Sequence, residues 1–336
     1  MTKTDAKGGL ERVLVLEVAR VTEAAAIAAA RFRGRGDEKA ADGAAVDAMR
    51  KELAKVHMQG RVVIGEGEMD ESPMLYIGEE VGLGDGPEVD IAVDPLEGTT
   101  ICAKGMPNAL AVLAIAERGG LLNAPDMYMH KIATGPGYPD GIIDIDAPAG
   151  DTIAKLAKAR GIPVSEITAC ILDRPRHAEL IGAVRKTGAG VQLIPDGDIA
   201  GVIWTTDPKE TGIDIYLGSG GAPEGVLAAA ALRCIGGQMQ GRLAPELHSE
   251  KDRPGLIERA RKMGIADIKR KYSMQDMACG DVIFSATGVT DGSLLDGVHF
   301  RGDFAETETV VLRSKTGTVR RIKTSFRMIG TKAPGI

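Results

Sequence analysis

The sequence predicts an α/β fold, in which short buried strands alternate with helices. With 336 residues, 44% of them hydrophobic, the chain is long enough to bury a large core. In its second half, apolar runs with strand character are separated by helical patterns, as in βαβ units. Aromatic residues make up only 3% of the chain and glycine contributes 44 residues, which predicts an aliphatic core with many tight turns. In such folds, functional side chains collect at the carboxyl ends of strands.

Each element is predicted from its own pattern. Residues 9–33 carry apolar side chains at helical spacing up to the stop at Gly34, and residues 42–56 carry a similar stripe. Short apolar runs bounded by glycine or charge predict strands. The predicted strands are 62–64, 91–93, 108–116, 167–172, 191–194, 213–217 and 281–285; the later helices are 176–186 and one that starts near 223, and a hairpin surrounds 315–317.

We expect these elements to form two packed α/β subdomains. Residues 1–165 would form the N-terminal subdomain and residues 166–336 the C-terminal one, with the break between 150 and 166. No repeat or low-complexity linker divides the chain elsewhere. Most of the acidic candidates described below belong to the first subdomain, and Glu224 belongs to the second.

The composition argues against several classes of protein. The 41 Lys and Arg residues are outnumbered by 47 Asp and Glu, and a net charge of −6 provides no general attraction to nucleic acid or anionic membranes. No apolar run approaches the roughly 20 residues of a membrane-spanning helix, and the N-terminus lacks the apolar core of a signal peptide. The four cysteines form no CxxC pair, which excludes a zinc ribbon and predicts ordinary thiols. We therefore expect a cytoplasmic protein.

Asp42, at the start of the second predicted helix, is the first candidate ligand. Val46, Met49 and Leu53 follow it at helical intervals, so Asp42 lies on the same inward face. An unpaired buried charge is unfavourable, which leaves two interpretations: a cap at the helix start, or a metal ligand. The pattern alone favours the cap.

Four acids follow the strand predicted at 62–64, namely Glu66, Glu68, Asp70 and Glu71. Such a density of like charge is unfavourable unless cations neutralise it or water solvates it. Counted from Glu66, an EF-hand loop would need glycine at the sixth position and glutamate at the twelfth, and this loop has neither. A solvated acidic loop and a cation site both remain open as interpretations.

The most specific pattern is Asp-Pro-Leu-Glu-Gly-Thr at residues 94–99. A buried strand brings Asp94 to its carboxyl end, and a tight turn after it would aim Asp94 and Glu97 into one pocket. Gly98 and Thr99 add backbone N–H groups and a hydroxyl that suit phosphate oxygens. Carboxylate oxygens select Mg²⁺ or Mn²⁺ over zinc.

Residues 218–225 place Glu224 in the first turn of a helix that directly follows a strand. Pro223 and Glu224 are ordinary residues for a helix start, yet ligands of α/β proteins also collect at such junctions. A dinucleotide fingerprint would need glycine at position 223, which is proline, and no P-loop sequence is present.

Four motifs, in this order and over nearly the full chain, resemble those of class II fructose-1,6-bisphosphatases. They are Ala-Asp-Gly-Ala-Ala at 41–45, Val-Ile-Gly-Glu-Gly-Glu-Met-Asp at 63–70, Asp-Pro-Leu-Glu-Gly-Thr at 94–99 and Gly-Gly-Ala-Pro-Glu-Gly at 220–225. The third is typical of the wider lithium-sensitive phosphatase superfamily, and the second and fourth are typical of class II. The resemblance implies a layered α/β/α/β/α sugar-phosphatase fold, a homodimer or homotetramer, and hydrolysis of the 1-phosphate of fructose 1,6-bisphosphate in gluconeogenesis.

The resemblance also implies a role for particular residues. The implied ligands of Mn²⁺ or Mg²⁺ are Asp42, Glu66, Asp94, Glu97 and Glu224. The implied substrate contacts are Glu97, Gly98, Thr99, Tyr128, Arg174, Arg176, Asp196, Asp198 and Gly221. Arginine suits bidentate contact with the phosphate that is not cleaved. For the chemistry, the hypothesis is that the Thr99 hydroxyl, oriented by Glu68 or Asp70, positions the attacking water.

One position departs from the family pattern. Relatives often carry lysine directly after the Gly-Asp of the first loop, whereas here Asp37 is followed by Glu38 and then by Lys39. This charge reversal can alter loop closure or phosphate contacts.

The alternatives to a fructose-1,6-bisphosphatase are a sedoheptulose-1,7-bisphosphatase or a dual-specificity form, an inositol monophosphatase, and a non-catalytic cation-binding protein. The two arginines favour a bisphosphate, and the intact Gly98-Thr99 element favours an enzyme.

Overall fold

The computed structural model describes residues 10, 12–67 and 74–328, and these residues form a layered α/β structure. The helices of this part are α1 (Leu14–Ala30), α2 (Glu38–Leu53), α3 (Thr99–Ala103), α4 (Ala149–Arg160), α5 (Ala178–Lys186), α6 (Asp198–Trp204), α7 (Pro208–Thr211), α8 (Ala222–Ile235), α9 (Arg253–Lys262) and α10 (Met274–Met277). The strands are β1 (Gln59–Ile64), β2 (Glu80–Val81), β3 (Glu88–Glu97), β4 (Leu110–Glu117), β5 (Tyr128–Thr134), β6 (Thr168–Leu172), β7 (Gly190–Ile194), β8 (Ile215–Gly221), β9 (Gln238–Leu243), β10 (Tyr272–Ser273), β11 (Val282–Gly288), β12 (His299–Arg301), β13 (Phe304–Arg313) and β14 (Thr318–Arg327). No helix among these residues is long and apolar enough to cross a membrane.

The strands form two mixed sheets. The first has the order β12-β13-β11-β4-β3-β1-β2, and β14 also pairs with β13. The second has the order β10-β9-β5-β8-β6-β7. β1 runs parallel to β3, and β6 runs parallel to both β7 and β8, whereas the other pairs between the described strands are antiparallel.

Helices and sheets stack in five layers. α1 and α2 pack on one face of the first sheet, and their apolar side chains share a core with β3 and β4. α8 lies between the two sheets and contacts strands of both. α4 and α5 cover the outer face of the second sheet. This arrangement confirms the α/β/α/β/α layering that the family resemblance implies.

The central strands of the first sheet are buried on both faces. In β4 every residue from Leu110 to Ala116 is buried, and so is every residue of β11. A sheet covered by helices on both sides needs apolar residues on both sides, so such strands are continuous apolar runs rather than alternating ones. The predicted strands at 108–116 and 281–285 are confirmed for this reason.

Some elements differ from their sequence predictions. α2 begins at Glu38 rather than near residue 42, because the Asp37 side chain caps it by accepting a hydrogen bond from the Ala40 N–H at 2.9 Å. β5 and β9 were not predicted, since polar residues such as His130 and Lys131 interrupt their apolar pattern. The hairpin predicted around 315–317 is confirmed as the connection between β13 and β14.

The division into subdomains at residue 165 stays a prediction. Each of the two sheets contains strands from before and after that position. Helix α4 overlaps the region in which the break was predicted.

Candidate active site

The site is built around the end of β3, where Asp94 and Glu97 line one cavity. Residues three apart on a regular strand face opposite sides of the sheet, because side chains alternate. Here Asp94 pairs with Val112 and Glu97 pairs with Leu110, so β3 carries one more residue than β4 between the two pairs. This bulge turns Glu97 to the same side as Asp94. The sequence predicts that a tight turn brings Asp94 and Glu97 to one pocket. In the structure a bulge inside the strand brings them together instead.

Thr99 lies directly after these two acids, as the first residue of the short helix α3. Gly98 links the strand to the helix with a φ of 85°, a left-handed conformation that favours glycine. Thr99 lines the same cavity as Glu97. The motif at 94–99 therefore presents two carboxylates and one hydroxyl to a single space.

Glu224 reaches the cavity from the start of α8. A Cβ atom at Gly221, the residue before α8, would lie 1.9 Å from Glu224 Oε2, so only glycine leaves room for this carboxylate. Glu224 Oε2 is buried and has no hydrogen-bond partner among the described residues. One oxygen from each of Asp94, Glu97 and Glu224 lies within 4.8 Å of the others, a spacing at which one cation can bind all three.

Asp42 and Glu66 line the same cavity. Asp42 comes from the second turn of α2, and Glu66 follows the end of β1. The interpretation of Asp42 as the helix cap is wrong, because α2 begins four residues earlier and Asp37 caps it. The structure thus brings all five acids together, while Glu68 and Asp70 lie outside the described residues.

Two neighbouring cavities share part of this acidic wall. The first has a volume of about 360 Å³ and contains the five acids with Gly98 and Thr99. The second, of about 160 Å³, is lined by Tyr128, Arg174, Arg176, Asp196, Asp198 and Gly221. Glu97, Asp196 and Glu224 line both. Every described residue that the sequence indicated for the site therefore lines one cavity or the other.

The crowding of buried acids raises their pKa values. Burial, followed by the charges of Asp42, Asp94 and Glu224, raises the pKa of Glu66 to about 8. Burial is also the main reason why the pKa of Asp94 rises to about 6 and that of Glu224 to about 7. Burial and the charge of Asp94 hold the pKa of Glu97 well above its usual value. A divalent cation would oppose these shifts, because it favours the ionised carboxylates.

Two arginines give the second cavity its positive charge. Arg174 Nη1 donates to the Pro195 carbonyl at 2.5 Å, and Arg174 Nη2 lies 3.8 Å from Asp196 Oδ1. The Arg176 guanidinium lies 4.6 Å from the centre of the Tyr128 ring. Guanidinium groups attract a phosphate directly, whereas the acidic wall attracts one only through a bound cation.

Lys131, which no sequence pattern indicated, is a buried cation beside the site. Its side chain is fully buried on β5, and its Nζ lies 2.5 Å from Asp198 Oδ2, which the Tyr216 hydroxyl also approaches at 3.4 Å. The charge of Lys131 also opposes the effect of burial on the pKa of Glu224. The sequence offers little signal for it, since His130 precedes Lys131 directly and the apolar pattern did not reveal the strand that carries both.

Glu38, at the position that departs from the family pattern, is the exposed first residue of α2. Burial raises the pKa of Asp196, and the negative charges of Asp198 and Glu38 raise it further. Glu38 therefore adds negative potential at the junction of the two cavities.

The chain is similar in sequence to known proteins along nearly its whole length. Residues 12–326 match the family described as "Bacterial fructose-1,6-bisphosphatase, glpX-encoded". The chain is 48% identical over 336 residues to the "Fructose-1,6-bisphosphatase 1 class 2" of Escherichia coli strain K12, with 97% of this chain and 98% of that protein covered. The proteins named "Fructose-1,6-bisphosphatase class 2" in Escherichia coli O6:H1 and Shigella flexneri are similar to the same extent. As its motifs imply, the chain belongs to the family of bacterial, glpX-encoded fructose-1,6-bisphosphatases.

Proposed function

We propose that this protein is a phosphatase that removes the 1-phosphate of fructose 1,6-bisphosphate in gluconeogenesis, with fructose 6-phosphate and phosphate as products. Five acidic side chains, distant in sequence, converge on a cavity that adjoins two arginines, and this convergence is the main support for the proposal. The acidic end suits a phosphate bound through a cation, and the arginines suit a second phosphate. The class 2 relatives are named for this activity.

We infer that Mn²⁺ or Mg²⁺ is the cofactor. The available donors are carboxylate oxygens, which these hard cations prefer, and Glu224 Oε2 is buried without a hydrogen-bond partner in the described part of the chain. The residues that would hold the cation are Asp42, Glu66, Asp94, Glu97 and Glu224. When bound, such a cation activates water and neutralises charge on the phosphoryl group.

The protein's own groups would bind and orient the reactants. The Thr99 hydroxyl would position the attacking water, with Glu68 or Asp70 as the acid that orients the hydroxyl. Arg174 and Arg176 would bind the 6-phosphate through charge-assisted hydrogen bonds.

The remaining contacts would hold the sugar between the two phosphates. Asp196 and Asp198 would accept hydrogen bonds from sugar hydroxyls, and Tyr128 would close the side of the second cavity. The missing side chains at Gly98 and Gly221 would let the substrate approach the backbone closely. Glu97 would contact both the cation and the substrate, since it lines both cavities.

We further propose that the protein works in the cytoplasm as a homodimer or homotetramer and binds neither nucleic acid nor membranes. The net charge of −6 supports the last two points, because polyanions and anionic lipids attract basic surfaces. Light scattering of the purified protein would measure the oligomeric state.

Phosphate release from fructose 1,6-bisphosphate, with and without Mn²⁺, tests the proposed activity. Sedoheptulose 1,7-bisphosphate and inositol 1-phosphate should be compared in parallel by kcat/KM. A preference for inositol phosphate would contradict the proposal, and equal use of both sugar bisphosphates would indicate the dual-specificity form. Complete absence of phosphate release with Mn²⁺ or Mg²⁺ would support the alternative of a non-catalytic cation-binding protein.

Removal of the cation is expected to make stability fall as pH rises. The folded pKa of Glu66 is about 8, against an ordinary value of 4.5, and those of Asp94 and Glu224 are raised as well. These carboxyl groups have a higher pKa in the folded protein than in the unfolded one. Their contribution to the free energy of unfolding is therefore fully present below about pH 4.5 and is lost as pH rises toward 8. In EDTA, Tm should therefore be lower at pH 8 than at pH 5.5.

The same thermal scans with Mn²⁺ provide the control. A bound cation stabilises the ionised carboxylates, so the difference in Tm between the two pH values should shrink. An equal pH dependence with and without Mn²⁺ would show that the five acids do not bind the cation.

Glu38→Gln is expected to lower KM for fructose 1,6-bisphosphate by about two- to fivefold, because it removes one exposed negative charge near the phosphate cavities. The effect should diminish at high salt, which screens exposed charges. Asp47→Asn makes the same charge change on α2, outside the residues that line the two cavities, and should leave KM unchanged. A KM that stays constant in Glu38→Gln at low salt would contradict this prediction.

A further inference from the structure

Arg176 is partly exposed, yet hydrogen bonds and an aromatic ring hold its guanidinium group in place. Its Nε donates to Ser219 Oγ at 3.0 Å, and its Nη2 donates to the Ser219 carbonyl at 2.8 Å. The Tyr128 ring lies against the guanidinium, 4.6 Å away. One edge of the guanidinium is therefore fixed by a single serine and one face by an aromatic ring, and within the described residues its other edge is left for a ligand.

Ser219 is itself fixed from behind by His177. The His177 Nδ1 lies 2.8 Å from the Leu172 carbonyl, which only accepts hydrogen bonds, so Nδ1 carries the proton and Nε2 is an acceptor. Nε2 lies 2.9 Å from both the Ser219 N–H and Ser219 Oγ. The serine hydroxyl and the serine N–H thus share the lone pair of His177 Nε2, and the hydroxyl keeps its own lone pairs for the Arg176 Nε–H.

The local backbone is adapted to this chain of hydrogen bonds. Ser219 and His177 are 2% and 3% exposed. Gly218 precedes the serine, and a Cβ atom there would lie 3.2 Å from the His177 ring, so the glycine leaves the space that the ring occupies. Burial lowers the pKa of His177, which keeps Nε2 unprotonated at neutral pH. Ser219 is the only residue with a side chain between positions 218 and 221.

We propose that Ser219, with His177 behind it, is a positioning residue that aims Arg176 at the second phosphate and so makes the protein select bisphosphates over monophosphates. The inference rests on the proposed function, in which Arg176 binds the phosphate that is not cleaved. An arginine already fixed in its binding geometry loses less conformational entropy when it binds a phosphate than a mobile one. A substrate without the second phosphate gains nothing from this arrangement.

The test is Ser219→Ala, assayed on fructose 1,6-bisphosphate and on fructose 1-phosphate, which lacks only the second phosphate. KM for the bisphosphate should rise about tenfold with kcat within about twofold, since the lost order of one long side chain corresponds to about that factor. kcat/KM for fructose 1-phosphate should not change. Ser285→Ala is the matched control: Ser285 is also fully buried, bonds the Thr22 hydroxyl at 2.9 Å and lines neither cavity.

Equal losses on both substrates, or an unchanged KM for the bisphosphate, would overturn the inference. Arg176→Lys provides a second variant, because it leaves Ser219 and His177 intact and keeps the charge but removes the planar guanidinium that bonds Ser219 through Nε and Nη2. It should show the same selective rise in KM, and a KM equal to that of the parent would count against the proposal. A parent protein that releases no phosphate from the bisphosphate would instead contradict the proposed function itself, and this inference with it.

Discussion

Asp94→Asn is expected to lower kcat/KM for fructose 1,6-bisphosphate by at least about 10³-fold, while the protein stays folded. Asp94 is one of three carboxylates close enough to bind one cation, and the amide keeps its shape but removes its charge. In EDTA at pH 8, the variant should have a higher Tm than the parent. The reason is that the charge of Asp94 raises the pKa of Glu66 and of Glu97, so its removal relieves repulsion in the empty cluster. Steady-state kinetics and thermal scans in EDTA measure the two effects.

Asp90→Asn is the matched control, because Asp90 is a buried acid on the same strand that lines neither cavity. It accepts hydrogen bonds from Arg61 at 3.1 Å and from the Gly119 N–H at 2.6 Å. Its replacement should lower Tm, since Arg61 and the Gly119 N–H lose the buried, charged acceptor that they share, and should leave kcat/KM within about twofold. If Asp94→Asn keeps more than about a tenth of the parent activity, Asp94 is not a metal ligand in this reaction.

Thr99→Ala is expected to reduce kcat by at least about 10²-fold without weakening the binding of the cation. Thr99 lines the acidic cavity but does not belong to the carboxylates that would hold Mn²⁺. The increase in Tm on adding Mn²⁺ should therefore match that of the parent, whereas turnover falls. Kinetics at saturating Mn²⁺ and thermal scans across Mn²⁺ concentrations separate these two properties.

Thr100→Ala is the control for this variant, since Thr100 is the next residue of α3 and does not line the cavity. It should keep the parent kcat. Near-normal turnover by Thr99→Ala would show that Thr99 takes no part in catalysis. The proposed role of Glu68 or Asp70 in orienting its hydroxyl would then be wrong as well.

Much of the site was predictable because its residues follow strands that the sequence marks clearly. Asp94 follows the buried run 91–93 of β3, which appears in the sequence as a continuous apolar run bounded by charge. Glu224 stands at a helix start that Gly221 and Pro223 signal. All the described residues selected in this way line one of the two cavities. For Asp42, the sequence pattern taken by itself favoured a helix cap, and that interpretation is wrong.

The sequence by itself determined the fold class, the family, and which acids and arginines are available, because these depend on local periodicity and on the order of short motifs. Tertiary structure decided how the side chains meet. The bulge that turns Glu97 toward Asp94 depends on the pairing of β3 with β4, and Lys131 reaches Asp198 across 67 residues of chain. Likewise, the hydrogen bonds that Arg176 donates to Ser219 join the 3₁₀ turn after β6 to β8. Such contacts form between elements that are distant in sequence, and local propensity carries no information about which distant partner a polar side chain will find.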